Sequence, residues 1–284
     1  MTAAPKANPS ATVPDRWLAT LLGRPEPIVM GVLNVTPDSF SDGGQYLEAE
    51  AALAHAKRMI ADGAAIIDIG AESTRPYGGI QPITAADEIA RLEPLLSAVV
   101  ALGIPVSIDT MKAEVARFAL KAGAAIINDV WGLQRDPAMA VVAAAGNVPI
   151  IIMHNRESVD PAIDIMKDIA AFFAHSLELA ARAGIRKTSI VLDPGIGFGK
   201  TAGQSIIALA RLGEFAAFCC PLLVGASRKR FIASITPSQP QQRLGGSIAA
   251  HLLAVRHGAR IIRTHDVAET VQALKVAAAI GSNE

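Results

Sequence analysis

The sequence predicts an α/β fold built as a single (β/α)8 TIM barrel: eight short β-branched runs recur in cadence, most of the intervals carry a helical pattern, and polar residues gather where the runs end. Strands are expected at Ile28 to Leu33, Ala65 to Ile69, Pro105 to Ile108, Ala125 to Asn128, Pro149 to Met153, Ser189 to Leu192, Leu222 to Gly225 and Arg260 to Arg263, bounded by Gly, Pro or polar residues. They are apolar throughout instead of alternating, the pattern of a parallel sheet covered on both faces. Helical spacing of Ala, Leu, Ile and Met fills Glu48 to Ala61, Ala85 to Leu102, Lys112 to Ala122, Ile163 to Ala183 and Val267 to Ala279. A weak repeat supports the same order, since Gly63-Ala64-Ala65, Gly123-Ala124-Ala125 and Gly258-Ala259-Arg260 each place a helix-ending glycine just before a strand. Eight such units suggest closure into a barrel, with an open doubly wound sheet as the alternative.

Composition bounds the function classes. Of 284 residues 51% are hydrophobic and 18% charged, which supplies a large core and too little charge for a disordered chain. Mean hydropathy is +0.36, and with 4% aromatics the packing rests on Ala, Ile, Leu and Val. Twenty-six basic side chains balance 26 acidic ones, so no global field draws the protein to nucleic acid or an acidic membrane. The expected partner is a small molecule. Cys219 and Cys220 are adjacent and have no others to pair with, which predicts buried free thiols in a reducing, cytoplasmic setting.

Met1 to Pro14 is rich in Ala and Pro and lacks the apolar core of a signal peptide. Residues 1–17 are read as a flexible tail and 18–284 as one catalytic domain. The uncharged stretch Pro137 to Asn155 approaches membrane-spanning length, but Gly146-Asn147-Val148-Pro149 interrupts it, so a helix, a turn and a buried strand are expected.

Asn34, Asp68, Asp109, Asn128, His154, Asp193, Ser227 and His265 all fall at or just after an expected strand end, where barrel closure brings side chains to one mouth. The loops after the first two strands are long and rich in Gly, Ser, Thr and Pro, as lids are. Asn34 to Gly44 carries oxygen-bearing side chains that either hold a hard cation with a phosphate or cap turns. Asp193-Pro194-Gly195-Ile196-Gly197-Phe198-Gly199-Lys200 is neither the dinucleotide fingerprint nor a Walker sequence; its glycines are expected to keep the backbone close to a flat ligand.

Ser227-Arg228-Lys229-Arg230 and Arg263-Thr264-His265 follow the seventh and eighth strands, the customary anion site of this architecture, with Arg75 within reach from the second loop. Asp109 and Asp193 end apolar strands, where a carboxylate is costly unless it meets donors. A fused heterocycle with adjacent NH and NH2 groups would supply them, and Asn128 could donate and accept beside them. A loop-pinning network is the alternative, and His154 stands as either a satisfied mouth histidine or a ligand contact.

These motifs are also where a resemblance arises. Gly31-Val32-Leu33-Asn34-Val35-Thr36-Pro37-Asp38-Ser39-Phe40-Ser41-Asp42-Gly43 and Asp68-Ile69-Gly70-Ala71-Glu72-Ser73-Thr74-Arg75-Pro76 resemble the two signatures of the bacterial dihydropteroate synthase family. Ser107-Ile108-Asp109-Thr110, Ile127-Asn128-Asp129, Leu192 to Lys200, Gly225 to Lys229 and Arg263 to Val267 continue the likeness, from about Ile28 to Val271.

The resemblance implies a (β/α)8 barrel, commonly a homodimer, that condenses 6-hydroxymethyl-7,8-dihydropterin diphosphate with p-aminobenzoate and is a sulfonamide target. It implies a pterin pocket of Asp109, Asn128, Asp193, Lys229 and Arg263, and a diphosphate site of Asn34, Arg75, Arg263 and His265 with Mg2+ at Asn34. Thr74, Arg75, Pro76, Phe198, Ser227 and Lys229 would meet p-aminobenzoate, and Asp109, Arg75, Lys229, Arg263 and His265 would be catalytic. Asn155-Arg156 and Gln204-Ser205 depart from the family pattern. A pterin-dependent methyltransferase and a non-catalytic pterin binder are the rival readings.

Overall fold

The structure is a computed structural model that describes residues 13–35, 44–72 and 83–282. Eight parallel strands close in chain order into a barrel: β1 (Ile28–Asn34), β2 (Ile66–Gly70), β3 (Val106–Asp109), β4 (Ile126–Asp129), β5 (Ile150–Met153), β6 (Ile190–Asp193), β7 (Leu222–Val224) and β8 (Ala259–Thr264). The helices are α1 (Val13–Leu22), α2 (Gly44–Ala61), α3 (Ala85–Leu92), α4 (Leu96–Val100), α5 (Ala113–Lys121), α6 (Ala138–Gly146), α7 (Ile165–Arg182), α8 (Ala202–Ala210), α9 (Arg230–Ile235), α10 (Leu244–Arg256) and α11 (Val267–Gly281). The expected cadence is therefore observed, and closure decides against an open sheet.

The uniformly apolar strands bury two sets of side chains. Val29, Leu33, Ile67, Ile69, Ile108 and Ile127 pack outward into the shell formed with the helices. Met30, Ile66, Ile126, Ile151, Val191, Leu223 and Ile261 fill the barrel interior. Because side chains alternate along a strand, the residue two places beyond an interior one also points inward. That rule carries Ile66 to Asp68, Ile126 to Asn128, Val191 to Asp193 and Ile261 to Arg263, so the interior changes from aliphatic to ionic in its uppermost layer.

Leu18 and Leu21 of α1 join the interior set. The helix starts at Val13, within the segment read as tail. The single helix expected over Ala85 to Leu102 is two, α3 and α4, parted around Pro94, whose ring nitrogen has no hydrogen to donate to the helical ladder. Pro137 to Asn155 does form a helix, a turn and a strand, with Asn147 left-handed at the helix end. Cys220 is buried but Cys219 is exposed, at the left-handed end of a 3-10 turn, so only one thiol is sequestered. Among the described residues no helix is long and apolar enough to cross a membrane.

Candidate active site

The uppermost interior layer forms an ionic ring. Arg263 Nε donates to Asp68 Oδ2 at 2.6 Å and its Nη2 donates to Asp109 Oδ2 at 2.7 Å. Asn128 Nδ2 donates to the same Asp68 oxygen at 3.1 Å. Asp68 was legible only as a polar strand end; it proves to be the inner anchor of the ring. Asp109, Asn128, Asp193, Phe198, Lys229 and Arg263 line one pocket. Asp109 Oδ1 and Asn128 Oδ1 are buried and have no hydrogen-bond partner among the described residues, so the pocket holds acceptors that await donors.

Burial dominates the electrostatics of this pocket. It pushes the Asp109 carboxyl up to about 7, with Arg263 opposing the rise and Asp68 and Glu88 adding to it. Asp193 is pushed up to about 6 by burial, against the hydrogen bond from Gly195 N, 2.7 Å from its Oδ1, and the charges of Lys229 and Arg263. Burial works against the Arg263 cation, but Asp68 and Asp109 more than compensate and raise its pKa. Lys229 Nζ lies 4.0 Å from the centre of the Phe198 ring, a cation–π contact at the pocket wall.

The basic run after β7 divides. Only Lys229 lines the pocket; Arg228, with φ of 58°, makes a bidentate ion pair with Asp266, and Arg230 opens α9. Ser227 and His265 meet each other, with His265 Nδ1 3.0 Å from Ser227 Oγ. Burial, followed by repulsion from Arg263, Arg228 and Lys229, lowers His265 to about 3. The imidazole is neutral at pH 7 in this state, and an arriving anion is what would favour its protonation. Asn34 ends β1 opposite Gly70 and is half-buried. Thr74, Arg75 and Pro76 lie outside the described residues. Glu72, just before them, accepts from Ile83 N at 3.2 Å and from Lys112 Nζ at 2.5 Å, which ties the two flanks of that segment to the residue following β3 and its loop.

The glycines of the 193–200 segment serve this chain's own packing as well as ligand approach. Gly195, Gly197 and Gly199 have φ of 65°, 81° and 54°. A Cβ on Gly195 would stand 2.0 Å from His154 O, and one on Gly199 would stand 2.4 Å from Arg156 Cβ. His154 is a satisfied buried histidine: Nε2 lies 2.9 Å from Asp168 Oδ2 and Nδ1 lies 2.6 Å from Lys200 Nζ. The departures also have local partners. Arg156 pairs with Asp168 at 2.6 Å, Gln204 completes a capping box with Thr201 on α8, and Ser205 Oγ accepts from Gly197 N at 3.3 Å.

With this geometry in view, comparison with known proteins is decisive. Residues 30–265 match the pterin binding enzyme family. The chain is 46% identical over 250 residues to the dihydropteroate synthase of Bacillus subtilis (strain 168), covering 88% of this chain and 87% of the relative. The chain belongs to the dihydropteroate synthase family. Among solved dihydropteroate synthases, that of Clostridium difficile, determined in the presence of pteroic acid, superposes with a TM-score of 0.87 at 45% identity, over 90% of this chain and 97% of that one. The Xanthomonas albilineans enzyme in complex with 7,8-dihydropteroate gives 0.83 at 41% identity, over 92% and 95%.

Proposed function

We propose that the chain condenses 6-hydroxymethyl-7,8-dihydropterin diphosphate with p-aminobenzoate, giving 7,8-dihydropteroate and diphosphate, as a cytoplasmic homodimer. The observation that carries the reading is the pair of buried, unpartnered acceptors, Asp109 Oδ1 and Asn128 Oδ1, in one pocket with Asp193. The NH and NH2 groups of a pterin edge are the donors that would satisfy them. Arg263 is proposed to lie against the ring face, and Lys229 to meet both the ring edge and the amine substrate. Phe198, Ser227, Thr74 and Pro76 are proposed for the p-aminobenzoate side, the place where sulfonamides would compete.

Asn34, Arg75, Arg263 and His265 are proposed for the diphosphate. Among the described residues no group of three or more His, Cys, Asp or Glu could hold a metal ion alone. A single amide oxygen such as that of Asn34 nevertheless fits Mg2+, which usually takes one or two protein ligands and completes its shell with phosphate oxygens and water. When bound, Mg2+ would supply charge neutralisation of the leaving group. Donors at Arg75, Arg263 and His265 would act on the same developing charge. Asp109, next to the Arg263 guanidinium, would offset positive charge on the pterin as the bond to diphosphate breaks. The weakly nucleophilic aryl amine would then attack the methylene carbon.

Incubating pure protein with both substrates, with and without Mg2+, tests the reading. Dihydropteroate formation that is lost on metal removal is expected; its absence under all conditions would overturn the assignment.

A further inference from the structure

Lys200 is 2% exposed and is not a lining residue of the pocket, yet its ammonium is turned toward the back of the pocket's wall. Nζ donates to Gly195 O at 2.9 Å and to Phe198 O at 3.0 Å, gripping the two ends of the turn that lies between them. On the front of that turn are Gly195, Ile196 and Phe198, all pocket-lining. Asp193 depends on the same turn through its bond from Gly195 N, and Lys229 depends on it through the Phe198 ring.

We propose that Lys200 is a positioning residue of the pterin pocket, clamping the 195–198 turn from behind, and that a chain of His154, Asp168 and Arg156 holds the clamp. The Asp168 carboxylate, 2.9 Å away, accepts from His154 Nε2–H, which leaves Nδ1 as the acceptor for Lys200 Nζ at 2.6 Å. Arg156 Nη1 fixes the other Asp168 oxygen at 2.6 Å. The arm is also packed, since Arg156 Cβ occupies the space a Gly199 Cβ would need. The chain thus joins α7 and the loop after β5 to the turn after β6. An apolar side chain would be easier to bury than an amine, so the three acceptors arrayed around this one, Gly195 O, Phe198 O and His154 Nδ1, describe a device for fixing geometry. Arg156, one of the two residues that depart from the family pattern after His154, becomes a specific determinant of how rigidly this pocket is set.

The inference rests on the pterin reading of the pocket, and its test separates the two. Calorimetry with 6-hydroxymethylpterin, which has no diphosphate, is run on the wild type, on Lys200→Met and on Lys200→Gln, together with steady-state kinetics and thermal midpoints. Lys200→Met is expected to weaken the pterin about 10-fold and to raise KM for p-aminobenzoate, while kcat at saturation falls less than about 3-fold, because the clamp touches no reacting atom. Lys200→Gln, which keeps one donor for a carbonyl, is expected to fall between. A lowered midpoint with pterin affinity and KM unchanged would reduce Lys200 to a stability role and overturn the proposal. Should Lys200→Met not fold, Arg156→Ala and Asp168→Asn decide: both should weaken the pterin a few-fold with Lys200 in place, and parity with the wild type overturns the chain. A wild-type protein that bound no pterin would overturn the pocket's assignment instead.

Discussion

Arg263→Met removes the cation from the ionic ring while retaining most of the apolar stem. Two carboxylates lose their partner: Asp68, fully buried and held at 2.6 Å, and Asp109, 8% exposed and held at 2.7 Å. Deleting one member of a buried pair costs about 3–5 kcal/mol when the remaining charge must stay ionised. Asp109 need not stay ionised, because burial already places it at about 7. Without the guanidinium its pKa rises further and it takes up a proton, so a loss near the lower limit, about 3 kcal/mol at pH 7, is expected. The pH dependence has a definite sign. A carboxyl whose folded pKa exceeds its unfolded value of 3.8 contributes stability that is full below 3.8 and is lost as pH rises through the folded pKa. In the variant this loss extends to higher pH than in the wild type, so the deficit should be larger at pH 8 than at pH 5. Urea unfolding of both proteins at the two pH values measures it, and calorimetry should show free 6-hydroxymethylpterin bound at least about 10-fold more weakly. Equal deficits at pH 5 and pH 8, or undiminished pterin affinity, would refute the account of Arg263 as counter-ion and ring contact.

Asp193→Asn exchanges a carboxylate for an amide that cannot accept through both heads, so pterin affinity should fall about 10-fold or more by calorimetry, with unchanged affinity excluding Asp193 from the ring edge. Gly195→Ala meets His154 O at 2.0 Å in a left-handed conformation, so it should lose about 2 kcal/mol or more of stability in urea and most of its pterin binding. His251 is buried with both ring nitrogens unpartnered among the described residues, and burial lowers it to about 4. Its contribution is intact above the unfolded pKa of 6.5 and is lost as pH falls toward 4, so the advantage of His251→Leu over the wild type should grow by about 1.4 kcal/mol per pH unit across that window. An advantage independent of pH in paired melts would count against that reading.

The barrel was legible because its strands announce themselves individually: each is a short apolar run, and all eight expected runs overlap observed strands within a residue or two at their ends. The helix over Ala85 to Leu102 was overread because periodicity continues through Pro94 although the hydrogen-bond ladder cannot. In the site, Asp109, Asn128, Asp193, Lys229, Phe198 and Arg263 could be named from strand ends and resemblance, and the fold brings them to one pocket. What sequence could not give was partnership. Ser227 and Arg228 look like neighbours in an anion cluster, yet one meets His265 and the other Asp266, with Arg228 in the left-handed region.

Asp68 and Lys200 were missed for a related reason. Each sits in a motif whose other members have an evident ligand role, and each faces protein. A signal for Asp68 did exist: it stands two residues beyond interior Ile66, in the same relation as Asn128 to Ile126 and Asp193 to Val191, so the alternation that identifies one identifies all. Lys200 carries no such signal, since its partners are carbonyls of its own turn and a histidine 46 residues earlier. The two explain one another physically. Burial raises the two pocket carboxyls to about 7 and 6, and the groups behind the pocket set where they stand. Asp68 fixes Arg263 from within the barrel, and Lys200 fixes the glycine turn from outside it. The acceptors that a pterin would satisfy are thereby held in place before it arrives, which lowers the ordering cost of binding and leaves the interaction energy for the ligand.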